Sequence, residues 1–77
     1  MRKWNVVEDG YHREVHLVDS KGRVVGVVRG SYYETNGWYS HAEEPSETVR
    51  MGRYTTLARA KTAVDDYWKS KEASDDK

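Results

Sequence analysis

Residues 23–33, Arg23-Val24-Val25-Gly26-Val27-Val28-Arg29-Gly30-Ser31-Tyr32-Tyr33, are the stretch whose reading decides the fold. The valines read as a β-strand that is apolar on both faces. Successive side chains point to opposite sides, so Val24, Val28 and Tyr32 share one face and Val25, Val27 and Tyr33 the other. A strand of this kind requires a cover on each side.

Working outward, turn signals mark the neighbouring elements. Asp19-Ser20-Lys21-Gly22 delivers the chain into the valine strand, with Gly22 free to take a positive φ. Before it, Tyr11 to Val18 alternates, with Tyr11, Arg13, Val15 and Leu17 opposite His12, Glu14, His16 and Val18. Asp9-Gly10 favours a hairpin back to Trp4-Asn5-Val6-Val7-Glu8. Beyond the valine strand, Asn36-Gly37 marks another turn, and Trp38 to Glu43 follows as a strand with Trp38, Ser40 and Ala42 facing away from Tyr39 and His41. Pro45 ends it, residues 43–47 form a polar loop, and Thr48 to Tyr54 makes a last short strand with Val49 and Met51 inward.

Leu57, Ala60, Val64, Tyr67 and Trp68 fall on one helical stripe, with Thr55 or Thr56 as N-cap and Asp65, Asp66, Lys61 and Lys69 on the outer face. The fold expected is therefore α+β: an antiparallel meander of four to five strands with one C-terminal helix packed on one face. Residues 1–70 form a single domain, and 71–77 are expected to be a frayed polar tail. Small residues, Ala60 and Ala63 on the helix and Gly26 and Gly30 on the strand, point to the glycine face as the covered one. That choice leaves Val25, Val27, Tyr33 and Tyr39 on an open face.

Composition narrows the function classes. The chain has 77 residues, no cysteine and equal numbers of acidic and basic side chains, so disulfides, thiolate zinc sites and a general attraction to polyanions are excluded. Residues 1–63 nevertheless carry a small basic excess and residues 64–77 a matching acidic one. No apolar run approaches a membrane span and no basic-then-apolar leader opens the chain, so a cytoplasmic protein without a cleavable signal is expected.

Candidate chemistry is sparse. His12 and His16 on one strand stand about 13 Å apart, too far to share an ion, so no metal is expected. No serine lies in a Gly-x-Ser-x-Gly setting, no glycine loop resembles a phosphate cradle, and a small sheet with one helix seldom encloses a pocket. No catalytic residue, cofactor or small-molecule substrate is expected; the chain reads as a non-enzymatic interaction module.

Two partners fit the sheet. An apolar open face built from Val25, Val27, Tyr33 and Tyr39, with Arg29 and His41 at the rim, would capture another protein or a second copy as a homodimer. The alternative is nucleic acid, because Arg13, Lys21, Arg23, Arg29, Arg50 and Arg53 come from the sheet and its turns with aromatics among them. Glu14, Glu34, Glu43, Glu44 and Glu47 on the same elements oppose that field. The protein reading is the first expectation.

Residues 51–64, Met51-Gly52-Arg53-Tyr54-Thr55-Thr56-Leu57-Ala58-Arg59-Ala60-Lys61-Thr62-Ala63-Val64, preceded by Gly37-Trp38, resemble a recurring pattern in small phage and bacterial sheet-plus-helix domains. They are also similar, more weakly, to the DNA-binding domains of plant ethylene-response factors and phage integrase arm-binding regions. The second resemblance implies DNA contacts on the sheet, with Arg23, Arg29 and Arg50 as the nearest arginine equivalents and Trp38 as the aromatic. Those sheets are richly basic, whereas this one carries matching glutamates. The first resemblance implies a small phage or mobile-element accessory protein that acts on a host protein.

Overall fold

A computed structural model describes residues 2–8, 12–31 and 37–75. Five strands, β1 (Lys3–Glu8), β2 (His12–Val18), β3 (Val24–Ser31), β4 (Trp38–Glu44) and β5 (Glu47–Tyr54), precede one helix, α1 (Leu57–Asp75). The strands lie in sequence order, each antiparallel to the next, and α1 rests over β3, β4 and β5. The α+β meander with one packed helix is thus the fold of the chain. No helix among the described residues is long and apolar enough to cross a membrane.

Register assigns the faces, because residues directly opposite in an antiparallel pair share a side. Trp4, Leu17, Gly26, Ala42 and Val49 form one row beneath the helix, and Val6, Val15, Val28, Ser40 and Gly52 the next. Leu17, Val28, Ala60 and Val64 are the buried centre, ringed by Trp4, Val25, Trp38, Met51, Tyr54, Leu57 and Trp68. The glycine face is indeed the covered one. A Cβ on Gly26 would stand 2.5 Å from Val64 Cγ1, and one on Gly30 would stand 2.6 Å from the Trp38 ring. Helix and indole lie against bare backbone at these two points, which no other residue permits.

Val25 departs from the expected alternation. Leu17 pairs with Gly26 but Val18 pairs with Val24, so Val25 is the extra residue of a β-bulge. The bulge shifts the phase of β3 by one, and Val25 packs against the helix cluster instead of lying on the open face. Val24, expected beneath the helix, is left 40% exposed. A second bulge inserts Met51 between Arg50 and Gly52, whose φ is +108°. Tyr33, together with Tyr32, lies outside the described residues.

The helix starts as its sequence predicts: Thr56 Oγ1 accepts the Arg59 N–H at 3.1 Å. Its end is longer than expected, since residues 71–75 continue α1 rather than fraying. Four contacts hold the last turns of α1. Lys71 and the Tyr67 hydroxyl both bond Glu44, the Trp68 indole donates to the Val25 carbonyl at 2.9 Å, and Arg2 pairs with Glu72. Asp65 and Lys61, expected on a solvated face, meet Trp4 instead: the indole donates to Asp65 Oδ2 at 3.4 Å and the Lys61 ammonium lies 5.5 Å from the ring centroid. Across the middle of the interface, the buried Ser40 hydroxyl donates to the Ala60 carbonyl at 2.9 Å.

Candidate binding face of the sheet

The side of the sheet away from the helix is built from the alternate residues of the same strands. One row runs Asn5, His16, Val27, His41, Arg50, and the next runs Val7, Glu14, Arg29, Tyr39, Arg53. Lys3, Val18 and Val24 continue it at one end, with Glu43 opposite Thr48. Val27 lies at its centre but only 6% of it is exposed. The cover is polar: His16 and His41 flank it from β2 and β4. Each imidazole is fixed by a carboxylate two residues away on its own strand, His16 to Glu14 and His41 to Glu43, both at 3.0 Å. Rings and long stems thus supply the second cover that the valine strand requires.

Charge is unevenly divided on this face. Glu14 Oε1 also accepts Arg29 Nη2 at 3.1 Å, and the hydrogen bond from His16, followed by Arg29, holds the Glu14 carboxyl below the usual glutamate range. Glu43 is held by His41 and by the Thr48 hydroxyl. Among the described residues these two are the acids of the open face. Glu44 and Glu47, paired across the β4–β5 turn, fall on the helix side by register, and Glu44 is spent on Lys71 and Tyr67. Lys71 first, then Tyr67, depress the Glu44 pKa. Glu34 lies outside the described residues.

The cations stay on the face. Lys3, Arg50 and Arg53 are exposed, and Arg29 remains 57% exposed beside Glu14. Among the described residues no ion pair engages Arg50 or Arg53. Tyr39, 50% exposed, stands between Arg29 and Arg53 in one row. Arg29, Tyr39, His41, Thr48 and Arg50 border a shallow hollow of about 390 Å³. A row from Arg29 to Arg53 crosses two strand spacings, about 10 Å, which compares with the roughly 12 Å width of a B-DNA major groove.

The sequence-predicted residues therefore divide. Val27, Arg29, Tyr39 and His41 come together with Arg50 on the open face. Val25 does not, for the bulge turns it to the helix. Trp38, expected as the aromatic of a nucleic-acid surface, lies on the helix side over Gly30. Arg23 is also elsewhere. It closes the β2–β3 turn, where Asp19 accepts its backbone N–H at 2.9 Å and its Nε at 3.0 Å, and it borders a separate hollow of about 480 Å³ near Pro45 and Trp68. The Arg23 backbone bond is the largest reason that the Asp19 pKa is lowered. Lys3 and Arg53 were missed as site residues: the parity of β1 places Lys3 there, whereas Arg53 reaches this face only because the Met51 bulge shifts the phase of β5.

No group of three or more metal-ligating side chains occurs among the described residues. Comparison with family models, with curated proteins and with solved structures finds no match to this chain.

Proposed function

We propose that this protein is a non-enzymatic binding module whose open sheet face holds the phosphate backbone of a nucleic acid. The observation that carries this reading is the segregation of charge. Lys3, Arg29, Arg50 and Arg53 stay exposed on one face, whereas Glu44 is withdrawn to the helix side. Arg50 and Arg53 are the primary phosphate contacts, because no carboxylate among the described residues pairs with them. Arg29 stands partly neutralised by Glu14, and Tyr39 offers a ring for stacking on an unpaired base. A protein-capturing apolar face loses two of its supports, since Val25 is packed under the helix and Val27 is buried between His16 and His41.

Binding of this origin releases counterions, so affinity should fall steeply with salt. Fluorescence anisotropy with a labelled mixed-sequence duplex and a labelled single strand, over a salt series, is the test. Four phosphate contacts predict a log–log slope of about −3 to −4 on duplex. Absence of binding to both probes at low salt would contradict the proposal.

A further inference from the structure

The two histidines of the open face are set alike. His16 on β2 and His41 on β4 lie one strand to either side of Val27, and Nε2 of each ring stands 3.0 Å from a carboxylate on its own strand. A carboxylate only accepts, so Nε2 carries the N–H of each neutral ring and Nδ1 is the atom left to take a further proton. The side chains are 25% and 23% exposed, reachable by water yet sheltered enough that a charge there is incompletely screened. Imidazole ordinarily changes charge between about pH 5 and 8, where carboxylates, lysine and arginine ordinarily do not.

Carboxylates face these rings along the strands, and cations face them across. His16 has Glu14 beside it on β2, with Asn5 and Val27 opposite and Lys3 of β1 and Arg29 of β3 on the diagonals. His41 has Glu43 and Tyr39 beside it on β4, with Val27 and Arg50 opposite and Arg29, Thr48 and Arg53 on the diagonals. A carboxylate attracts the charge of an imidazolium and a neighbouring cation repels it. On the phosphate-binding reading of this face, we infer that nucleic-acid binding is proton-coupled: His16 and His41 each take up a proton as phosphate binds, so affinity rises as the pH falls. Phosphate neutralises Lys3, Arg29, Arg50 and Arg53, which removes the repulsion that opposes the imidazolium. By reciprocity, an imidazolium already in place strengthens phosphate binding. Glu14 shows how. Its Oε1 bonds both His16 and Arg29, and an imidazolium at His16 neutralises that carboxylate and leaves Arg29 freer to turn to phosphate. At His41 the added charge cancels Glu43 beside Arg50. The four exposed cations then stand on the face without an uncancelled carboxylate among the described residues.

The experiment is fluorescence anisotropy of the full chain with the labelled duplex, at one low salt concentration and at about pH 7.5 and about pH 5.5. The wild-type Kd should fall about tenfold or more on acidification, since two added charges join the four cations. In H16Q/H41Q the glutamine amides can keep the bonds to Glu14 and Glu43 without titrating, and the change in Kd should be about twofold or less. His12 is retained in both chains. A second measurement needs no substitution: the imidazole proton resonances of His16 and His41 are followed against pH with and without duplex, and duplex should move both midpoints to higher pH. A wild-type Kd equal at the two pH values, a pH response that H16Q/H41Q retains in full, or midpoints that duplex leaves unmoved would overturn the inference while the binding face stands. Absence of binding at both pH values would remove the phosphate-binding reading itself, and the proton coupling with it.

Discussion

The two faces of the valine strand are covered by different means. Beneath the helix, Gly26 and Gly30 give way to Val64 and Trp38, and Leu17, Val28, Ala60 and Val64 pack without an exposed atom to spare. On the other side a single buried valine, Val27, lies between two histidines, each paired with a carboxylate on its own strand. Close-packed apolar surface cannot shift to fill a gap, whereas long polar side chains can. Stability accordingly belongs to the first face, and the second is available for binding.

Truncation separates the faces most sharply. Leu17→Ala, under the helix, is expected to lose about 2–5 kcal/mol in urea unfolding, whereas Val27→Ala on the open face should lose closer to 1 kcal/mol, because the imidazoles can close over the vacated volume. Equal losses would mean that the open face is packed as rigidly as the covered one. Overpacking is next in size. Gly30→Ala drives a methyl group into the Trp38 ring, and a loss of about 1–3 kcal/mol with a changed near-ultraviolet signal is expected.

Much of the covered face was legible in the sequence. The spacing of Leu57, Ala60, Val64 and Trp68 specified the helix stripe, and the valine run with its glycines specified both the central strand and the side on which the helix lies. The open face was legible only in part. Alternation placed Val27, Tyr39 and His41 correctly, but it assumes an unbroken period of two. One bulged residue at Val25 reverses the parity, and nothing local to Val24-Val25 announces it. Trp38 and Arg23 were misplaced for a second reason: side-chain chemistry indicates what a residue can bind, while register decides which surface receives it. The helix end was likewise hidden, because residues 71–75 are anchored by Glu44 and Arg2 from distant parts of the chain.

Glu44 makes the covered face sensitive to acid, and Glu14 does the same for the open face. The Glu44 and Glu14 carboxyls are held below their ordinary pKa of 4.5, so their stabilising contribution is present above that value and is lost as the pH falls through the depressed folded values. The contacts of Glu44 also raise the pKa values of Lys71 and Tyr67 above 10.5 and 10.0, a contribution complete below those values and lost as the pH rises beyond them. A melting temperature that is level near neutrality and declines at both extremes is expected. Glu44→Gln should flatten the acid limb and free the last turns of α1 to exchange amide protons faster.

The smallest effect on stability should accompany the largest effect on binding. Replacing Arg50 and Arg53 together by alanine is expected to change unfolding by no more than about 0.5 kcal/mol, since both are exposed and neither engages an ion pair among the described residues. The salt slope on duplex should become shallower by roughly 2. A matching substitution of Arg59 and Thr62 on the exposed side of α1 should leave that slope unchanged.

The most direct measurement is a ¹H–¹⁵N spectrum of the chain titrated with a short mixed-sequence duplex at low salt. The shifts are predicted to concentrate at Arg29, Tyr39, His41, Arg50 and Arg53, with the amides of α1 little moved. Shifts confined to α1, or no shifts at saturating duplex, would contradict the assignment of the open face as the binding surface.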